Sequence, residues 1–204
     1  KYNECWVPDT NETINLTGEL GHLNNHKLNL KYIGPLSRMR QKETAKVYDL
    51  MIILSGPEPQ RTFLEEKLKQ EIVRYNGNVV FIRGVVEKEQ SKQQVKNVTY
   101  YNFMNTKQLE QTFNESDLVL CRSGYTTVMD LAKLGKKAFF IPTPGQYEQE
   151  YLAIKLQDEN LVPYATQNDF TIEDLSKVKS FKGLSQFKNN IDWDSLFTVF
   201  EKEV

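Results

Sequence analysis

The sequence predicts an α/β fold whose centre is a doubly wound, Rossmann-like parallel sheet. From residue 47 onwards, short apolar runs alternate with segments in which apolar residues recur at helical spacing. The run at 50–54 is apolar throughout, as is typical of a strand that is buried on both faces. Residues 117–151 read as strand, tight turn, helix and strand, which is the βαβ unit of parallel sheets.

The other elements follow in the order that such a sheet requires. A helix follows the strand at 47–54, with Pro59 at its first position, where a missing N–H costs nothing, and it ends at Asn76-Gly77. We expect an exposed loop or weak helix over 85–96, because this stretch is charged and rich in glutamine. Further strands are predicted at 79–82, 98–101, 138–142 and 161–165, and further helices at 106–114, 147–159, 171–177 and 193–200.

Composition limits the classes of function. Of the 204 residues, 39% are apolar and 26% are charged, which suits one packed domain or one domain with a fragment of another. The formal net charge of -1 argues against a nucleic-acid partner or a membrane surface bound through bulk charge. Two cysteines are too few for a disulfide framework, and no apolar run is long enough to span a bilayer. We therefore expect a cytoplasmic protein.

We expect no cofactor and no metal. The dinucleotide fingerprint G-x-G-x-x-G is absent, which disfavours NAD and FAD. His22 and His26 have i, i+4 spacing, but they lie in a polar, asparagine-rich stretch, so we expect surface histidines rather than a metal site. Cys121 lies within an apolar run and is expected to be a small buried residue rather than a nucleophile.

The turn at Ser123-Gly124 is the first candidate for a binding site. It joins a strand to a helix, so main-chain N–H groups at the start of the helix point outward, where an anion such as a diphosphate can bind. In open α/β sheets, ligands bind beyond the carboxyl ends of the strands, where this turn lies. The alternative is a helix cap and tight turn without a ligand.

This stretch resembles a known family. Residues 122–132 read RSGYTTVMDLA, and Gly135, Pro142 and Gln149 follow. The pattern is similar to the C-terminal, nucleotide-sugar-binding half of GT-B glycosyltransferases, closest to the MurG-like enzymes that move N-acetylglucosamine from UDP (glycosyltransferase family 28, C-terminal domain). The similarity is strong over 102–164 and weaker upstream. It implies that the predicted sheet is the C-terminal half of a GT-B fold.

The resemblance implies roles for residues in four groups. Two phosphate loops, one after the strand at 47–54 and one at 122–124, would hold the diphosphate, and residues farther along would hold the uracil, the ribose and the sugar. The implied residues are Ser55, Gly56, Arg122, Ser123 and Gly124 for the diphosphate, Phe103 and Met104 for uracil, Asp130 for ribose, and Tyr125, Thr126, Gln149 and Glu150 for the sugar.

Structural alternatives stay open for several of these residues. The alternative for Arg122 is an ion pair with a surface carboxylate. The alternative for Asp130 is a surface carboxylate that is solvated. Glu150 lies in the first turn of a predicted helix, where the helix dipole favours an acidic residue in any case. Phe103 and Met104 have the alternative of strand-end core residues.

The resemblance also implies a division of the chain. Residues 1–35, with short strands at 5–7 and 30–33, would be the tail of an N-terminal acceptor domain plus a linker, and residues 36–204 the nucleotide-sugar-binding domain with C-terminal helices. Gly34, Pro35 and Arg38 would belong to the linker. The alternative is an ordinary edge hairpin of one domain. Because the chain begins at Lys1 without a methionine, we expect a piece of a longer chain. The resemblance implies that the acceptor side is this missing N-terminal domain or a separate acceptor-binding chain.

The implied function is the donor-binding half of a glycosyltransferase that moves a hexose or N-acetylhexosamine from a UDP-sugar to an unknown acceptor. No catalytic residue is assigned, because the general base of such an enzyme would lie on the other half. Any membrane association would also come from that half. The alternatives are a UDP-sugar hydrolase or epimerase of the same fold, and a non-catalytic nucleotide-sugar-binding subunit.

Overall fold

Most of the chain folds around a six-stranded sheet in the computed structural model, which describes residues 4–22, 28–187 and 191–198. The strands are β1 Cys5–Val7, β2 Leu30–Tyr32, β3 Tyr48–Ile53, β4 Val79–Ile82, β5 Lys92–Val95, β6 Val98–Tyr101, β7 Ser116–Cys121 and β8 Lys137–Phe140. The α-helices are α1 Gln60–Glu71, α2 Thr106–Glu115, α3 Tyr125–Leu134, α4 Tyr147–Asp158 and α5 Trp193–Phe197. Short 3-10 helices span Gly18–Leu20, Ile72–Arg74, Ile172–Ser180 and Ser185–Phe187.

The sheet has the strand order β5-β6-β4-β3-β7-β8, and all its pairs are parallel except β5 with β6. The chain runs from β3 outward to β4 and β6, and then returns to the other side of β3 for β7 and β8. The direction of winding therefore reverses between β3 and β7, and their carboxyl ends flank the crevice in which such sheets bind ligands. The predicted doubly wound α/β fold is confirmed.

Helices cover both faces of this sheet. On one face, Met51, Val119 and Phe140 pack against α3 and α4. On the other face, Leu50 and Phe139 pack against α1 and the 3-10 helix at Ile172–Ser180. The central strands therefore have apolar side chains on both faces, which is why the sequence shows continuous apolar runs there.

The structure corrects four details of the predicted elements. Residues 92–95, expected as loop or weak helix, form the antiparallel edge strand β5, and all four of its residues are exposed. The strand expected at 161–165 is reduced to one bridge between Phe140 and Tyr164. The helix expected at 171–177 is a 3-10 helix, and Pro59 is the N-cap residue of α1 rather than its first residue. The helix expected at 193–200 is described only as far as Phe197, and residues 199–200 lie outside the described part.

The first strands form a sheet of their own. β1 and β2 pair in parallel, so the alternative of an edge hairpin is wrong, because hairpin strands are antiparallel. The segment between them packs on α4, where the Glu19 N–H donates to the Tyr151 hydroxyl at 2.7 Å and Leu16 is buried in the core. The division of the chain at residue 35 stays a prediction.

His22 is more enclosed than expected for a surface histidine. Its Nε2 atom lies 3.2 Å from Asp9 Oδ2, and its ring stacks on Tyr32 at a centroid distance of 4.6 Å. His26 lies outside the described residues. Within residues 4–22, 28–187 and 191–198, no group of three or more metal-ligating side chains is found, and no helix is long and apolar enough to cross a membrane. Cys121 is buried, and burial raises the pKa of its thiol.

An ion cluster centred on the buried Glu65 ties α1 to the end of β4. Glu65 is only 4% exposed and accepts hydrogen bonds from Lys69 (2.5 Å), Arg83 (2.6 Å) and Arg61 (2.7 Å). Burial alone would raise the pKa of Glu65, but the hydrogen bonds from these three cations outweigh it and lower the pKa from 4.5 to about 2. The folded protein therefore favours the ionised carboxylate.

Replacing Glu65 with glutamine is expected to lower the free energy of unfolding by about 3 kcal/mol at pH 7. This value follows from a pKa difference of about 2.5 between the unfolded and folded states, because one pKa unit corresponds to about 1.36 kcal/mol. Because the folded pKa is depressed, this contribution is complete above pH 4.5 and is lost as the pH falls towards 2. Urea unfolding from pH 7 down to pH 3 measures it. Glu66→Gln, at the exposed neighbouring position, is the matched control. Parallel stability curves for wild type and Glu65→Gln would contradict this account.

Candidate nucleotide-sugar site

The predicted site residues come together at the carboxyl edge of the sheet. Residues 55–56 follow β3, 103–104 follow β6, 122–124 follow β7, and 149–150 lie in the first turn of the helix that follows β8. Since these strands are parallel, their carboxyl ends share one edge. The loops after β3 and β7 flank the crevice at the reversal of the sheet. The fold therefore places both predicted phosphate loops where a ligand is expected.

The turn after β7 leads directly into α3. Gly124 is the N-cap residue and, having no side chain, supplies no capping hydrogen bond. The Ser123 side chain is buried, and its Oγ donates to the Gln149 carbonyl at 2.7 Å, which fastens this turn to α4. The Tyr125 N–H donates to Oε1 of Glu148 at 3.2 Å. The anion-binding capacity of this turn therefore resides in its main chain rather than in the Ser123 hydroxyl.

Arg122 is only 1% exposed and lies beneath this turn. Nη1 donates to the carbonyls of Ile141 (3.1 Å) and Pro142 (2.9 Å), and Nη2 donates to the Gln60 carbonyl (3.0 Å) and to Oε1 of Gln167 (2.7 Å). Nε has no partner among the described residues. Burial lowers the pKa of Arg122 to about 10, so the side chain is still charged at neutral pH. The phosphate contact stays a prediction, and the observed contacts join three segments of the chain.

The other phosphate loop faces the segment after β8. Ser55 and Gly56 are exposed, and Gly56 has a φ of +105°, a conformation that glycine adopts without strain. A Cβ at Gly56 would lie 3.5 Å from Oγ1 of Thr143, a buried hydroxyl without a partner in the described part of the chain. The start of α1 already has an anion, because Glu58 accepts the Thr62 N–H at 3.1 Å. A phosphate at this loop could therefore bind the groups of Ser55 and Gly56 themselves, but not the start of α1. The diphosphate role of these two residues stays a prediction.

Two of the four residues implied for the sugar, Gln149 and Glu150, fix the segment before α4. Gln149 is buried, accepts the Thr143 N–H at 2.9 Å through Oε1 and donates to Oε1 of Gln146 at 3.0 Å. Glu150 accepts the Gly145 N–H at 2.8 Å. Both side chains therefore fix the segment at 143–146, and their contacts to a sugar stay predictions.

Tyr125 and Thr126 open α3 but point to different surroundings. Thr126 is exposed in the first turn. The Tyr125 hydroxyl donates to the Pro8 carbonyl at 3.4 Å, so this side chain reaches the N-terminal segment. Burial, with a further effect from the charge of Asp9, raises the pKa of Tyr125 to about 12. Their roles towards a sugar also stay predictions.

Asp130, the implied ribose ligand, is bonded to the predicted linker. Its Oδ1 accepts a hydrogen bond of 2.5 Å from Ser37 Oγ, which in turn accepts the Met39 N–H at 2.9 Å. Burial raises the pKa of Asp130, while the Ser37 hydrogen bond and the charge of Arg38 oppose that effect. This carboxylate is therefore partly enclosed rather than freely solvated, and it contacts a hydroxyl.

The segment implied for uracil is held by Asn102, a buried residue that sequence reasoning missed. Its Oδ1 accepts the N–H groups of Ser91 (2.8 Å) and Phe103 (2.9 Å), and its Nδ2 donates to the Glu89 carbonyl at 2.9 Å. The Phe103 carbonyl accepts from Nε2 of Gln90 at 2.7 Å, and the Met104 side chain packs against the core. These hydrogen bonds hold the loop in one conformation, while uracil recognition by Phe103 and Met104 stays a prediction.

Sequence reasoning also missed Glu148 and Ser37, which contact two of the predicted binding groups. Glu148 had a signal in the sequence, because it is an acidic residue in the first turn of α4 and because α3 and α4 both begin at the carboxyl edge of the sheet. No local pattern identifies Ser37, because its partner Asp130 is 93 residues away in the sequence.

Comparison with known proteins identifies one family, and the two relatives described below carry the same enzyme name. The model of the glycosyltransferase family 28 C-terminal domain matches residues 59–182, more than half of the chain. The UDP-N-acetylglucosamine--N-acetylmuramyl-(pentapeptide) pyrophosphoryl-undecaprenol N-acetylglucosamine transferase of Haemophilus ducreyi is 29% identical over 72% of this chain and 42% of its own length. The enzyme of that name from Actinobacillus pleuropneumoniae is 30% identical over 64% of this chain and 38% of its own length. The chain thus spans about two fifths of these relatives.

Solved structures show the same fold at low identity. MurG of Acinetobacter baumannii superposes with a TM-score of 0.56 and 16% identity, over 85% of this chain and 56% of that one. The calicheamicin glycosyltransferase CalG4 gives a TM-score of 0.58 and 11% identity, over 86% and 48%. The solution structure of ALG13 gives 0.52 and 15%, over 74% of this chain and 95% of that one. In the ALG13 structure, a domain of this fold therefore makes up nearly the whole chain.

Proposed function

Because the chain belongs to the glycosyltransferase family 28 C-terminal domain family, we propose that it is the donor-binding half of an enzyme that transfers a sugar from a UDP-sugar. The observation that carries the proposal is the N-terminus of α3, which opens at the crevice between β3 and β7 inside the matched range. The relatives are named N-acetylglucosamine transferases with a UDP-linked donor, so UDP-N-acetylglucosamine is the proposed donor.

The proposed contribution to catalysis is electrostatic. As the bond to the sugar breaks, negative charge develops on the departing UDP, and the main-chain N–H groups and positive dipole of α3 stabilise it. The charged Arg122 beneath the same turn adds to the positive field there. No side chain at this edge is assigned as the general base, and we propose that the acceptor-binding half supplies it.

The acceptor side of the reaction requires a further domain or chain. An upstream domain of the same polypeptide is the leading candidate, since the chain spans only about two fifths of the relatives named above. A separate acceptor-binding chain is the second candidate, favoured by the solved chain that consists almost entirely of this domain. A UDP-sugar hydrolase or epimerase remains the enzymatic alternative, and release of free sugar without an acceptor would identify a hydrolase.

Calorimetric titration with UDP, ADP and GDP tests the donor assignment. We expect UDP to bind at least about tenfold more tightly than either purine nucleotide, a difference of about 1.4 kcal/mol. The reason is that the loop after β6, whose Phe103 N–H is held by Asn102, is the segment to which the resemblance assigns uracil. UMP serves as the control for the base, because it shares uracil but lacks one phosphate. Equal affinity for all three diphosphates would contradict the assignment of Phe103 and Met104 to uracil.

A further inference from the structure

Glu148 places a carboxylate at the N-terminus of α3. It lies in the first turn of α4, is exposed, and accepts the Tyr125 N–H through Oε1 at 3.2 Å. Gly124 provides no side-chain cap, so this contact from a neighbouring helix serves one of the N–H groups that an incoming phosphate would use. A carboxylate and a phosphate carry the same sign of charge and compete for the same donor.

Ser37 makes an equivalent contact at the implied ribose position. Its hydroxyl donates to Oδ1 of Asp130 at 2.5 Å, as a ribose hydroxyl would. Ser37 lies in the segment that leads from β2 towards β3, and it is half-buried. In both places, therefore, the chain supplies a group of the same chemical type as the ligand group: an anion where a phosphate is expected, and a hydroxyl where a ribose hydroxyl is expected.

We propose that Glu148 and Ser37 occupy the phosphate and ribose positions of the donor site, and that a nucleoside diphosphate must displace both to bind. This inference rests on the proposed function. Glu148 and Ser37 are then determinants of affinity: each competes with one part of the ligand and with that part only.

The Glu148 contact predicts a gain in affinity that depends on phosphate. Glu148→Gln removes the negative charge and is expected to strengthen UDP binding at least about threefold at low salt. The gain should be smaller for UMP and absent for uridine, and it should shrink as salt screens the charge. Glu66→Gln removes the same charge from the exposed face of α1 and should change none of these affinities. An equal gain for uridine and UDP, or weaker UDP binding, would overturn the role of Glu148.

The Ser37 contact predicts a gain that depends on the ribose hydroxyls. Ser37→Ala is expected to strengthen UDP binding about threefold to tenfold, the value of one removed competing hydrogen bond, and to leave 2′,3′-dideoxy-UDP unchanged. Ser37→Thr keeps the hydroxyl and should bind both ligands as the wild type does. Urea unfolding of each variant confirms that loss of the Met39 contact leaves the fold intact. Weaker UDP binding by folded Ser37→Ala would show that Ser37 positions Asp130 for the ligand, and it would overturn the competition.

The UDP-binding measurements distinguish a failure of this inference from a failure of the proposed function. If the wild type binds UDP but neither variant shows its selective gain, the donor site stands and the competition is wrong. If Glu148→Gln binds UDP and the wild type does not, the competition is supported and is strong. If no folded variant binds UDP, uridine or UMP, the proposed function fails, and the inference fails with it.

Discussion

Replacing Arg122 with leucine is expected to lower the free energy of unfolding by about 3–5 kcal/mol, the largest loss of stability expected from a single substitution at this site. The substitution leaves the carbonyls of Ile141, Pro142 and Gln60 and the Gln167 side chain without the donor they use, in a place closed to water. A buried acceptor without a partner costs about 1–3 kcal/mol, and such costs are not additive at one site. Urea unfolding measures the loss, provided that the free energy of unfolding depends on urea concentration with the same slope in the wild type and the variant.

A surface arginine supplies the control for this experiment. Arg40 is exposed, so Arg40→Leu removes the same charge and is expected to change stability by less than about 0.5 kcal/mol. Arg122→Lys keeps the charge but not the planar fork of donors, so it should recover only part of the loss. If Arg122→Leu is as stable as the wild type yet binds UDP poorly, Arg122 acts mainly on phosphate and its carbonyl contacts contribute little.

The fold was predictable because its signals are local and strong. A strand buried on both faces must be apolar throughout, and the run at 50–54 has that pattern. Gly135, which has a φ of +60° at the end of α3, also marks a helix end that the sequence shows. β5 was missed for the opposite reason. It pairs on one side only and all its residues are exposed, so its sequence KQQV carries no apolar signal.

The site was predictable in position but not in its contacts. The turn at Ser123-Gly124 follows from the strand-turn-helix pattern, and its place beyond β7 follows from the sheet topology. The partners of its side chains come from elsewhere in the chain: Gln149 for Ser123, and Gln60 and Gln167 for Arg122. Such pairs form only when the helices are packed, and no spacing in the sequence reports them. Residue types therefore indicated an anion site, while the fold determines which groups remain available to the anion.

The 204-residue chain by itself is expected to bind UDP and to transfer no sugar. Glycosyl transfer requires the donor, the acceptor and a base to be held together, and positioning of this kind can contribute about 7–11 kcal/mol of the barrier. The phosphate and ribose groups proposed above all lie on this chain, so donor binding is expected without another domain. Residues 4–22 and 28–35, the described part of this segment, form a two-stranded sheet and one 3-10 helix, and 35 residues are too few for an acceptor domain, which needs at least about 50 residues.

Release of UDP from UDP-N-acetylglucosamine, with and without a panel of acceptors, measures this expectation. We expect no turnover above the rate without protein, while calorimetry on the same sample shows UDP binding. Adding an acceptor-binding domain, upstream in the same polypeptide or as a separate chain, should then give transfer without changing the affinity for UDP by more than a few-fold, because the proposed donor contacts are the same. Turnover by the 204-residue chain alone would place the catalytic base among its own residues. The exposed carboxylates at the carboxyl edge of the sheet, Glu148 first, would then be the groups to replace.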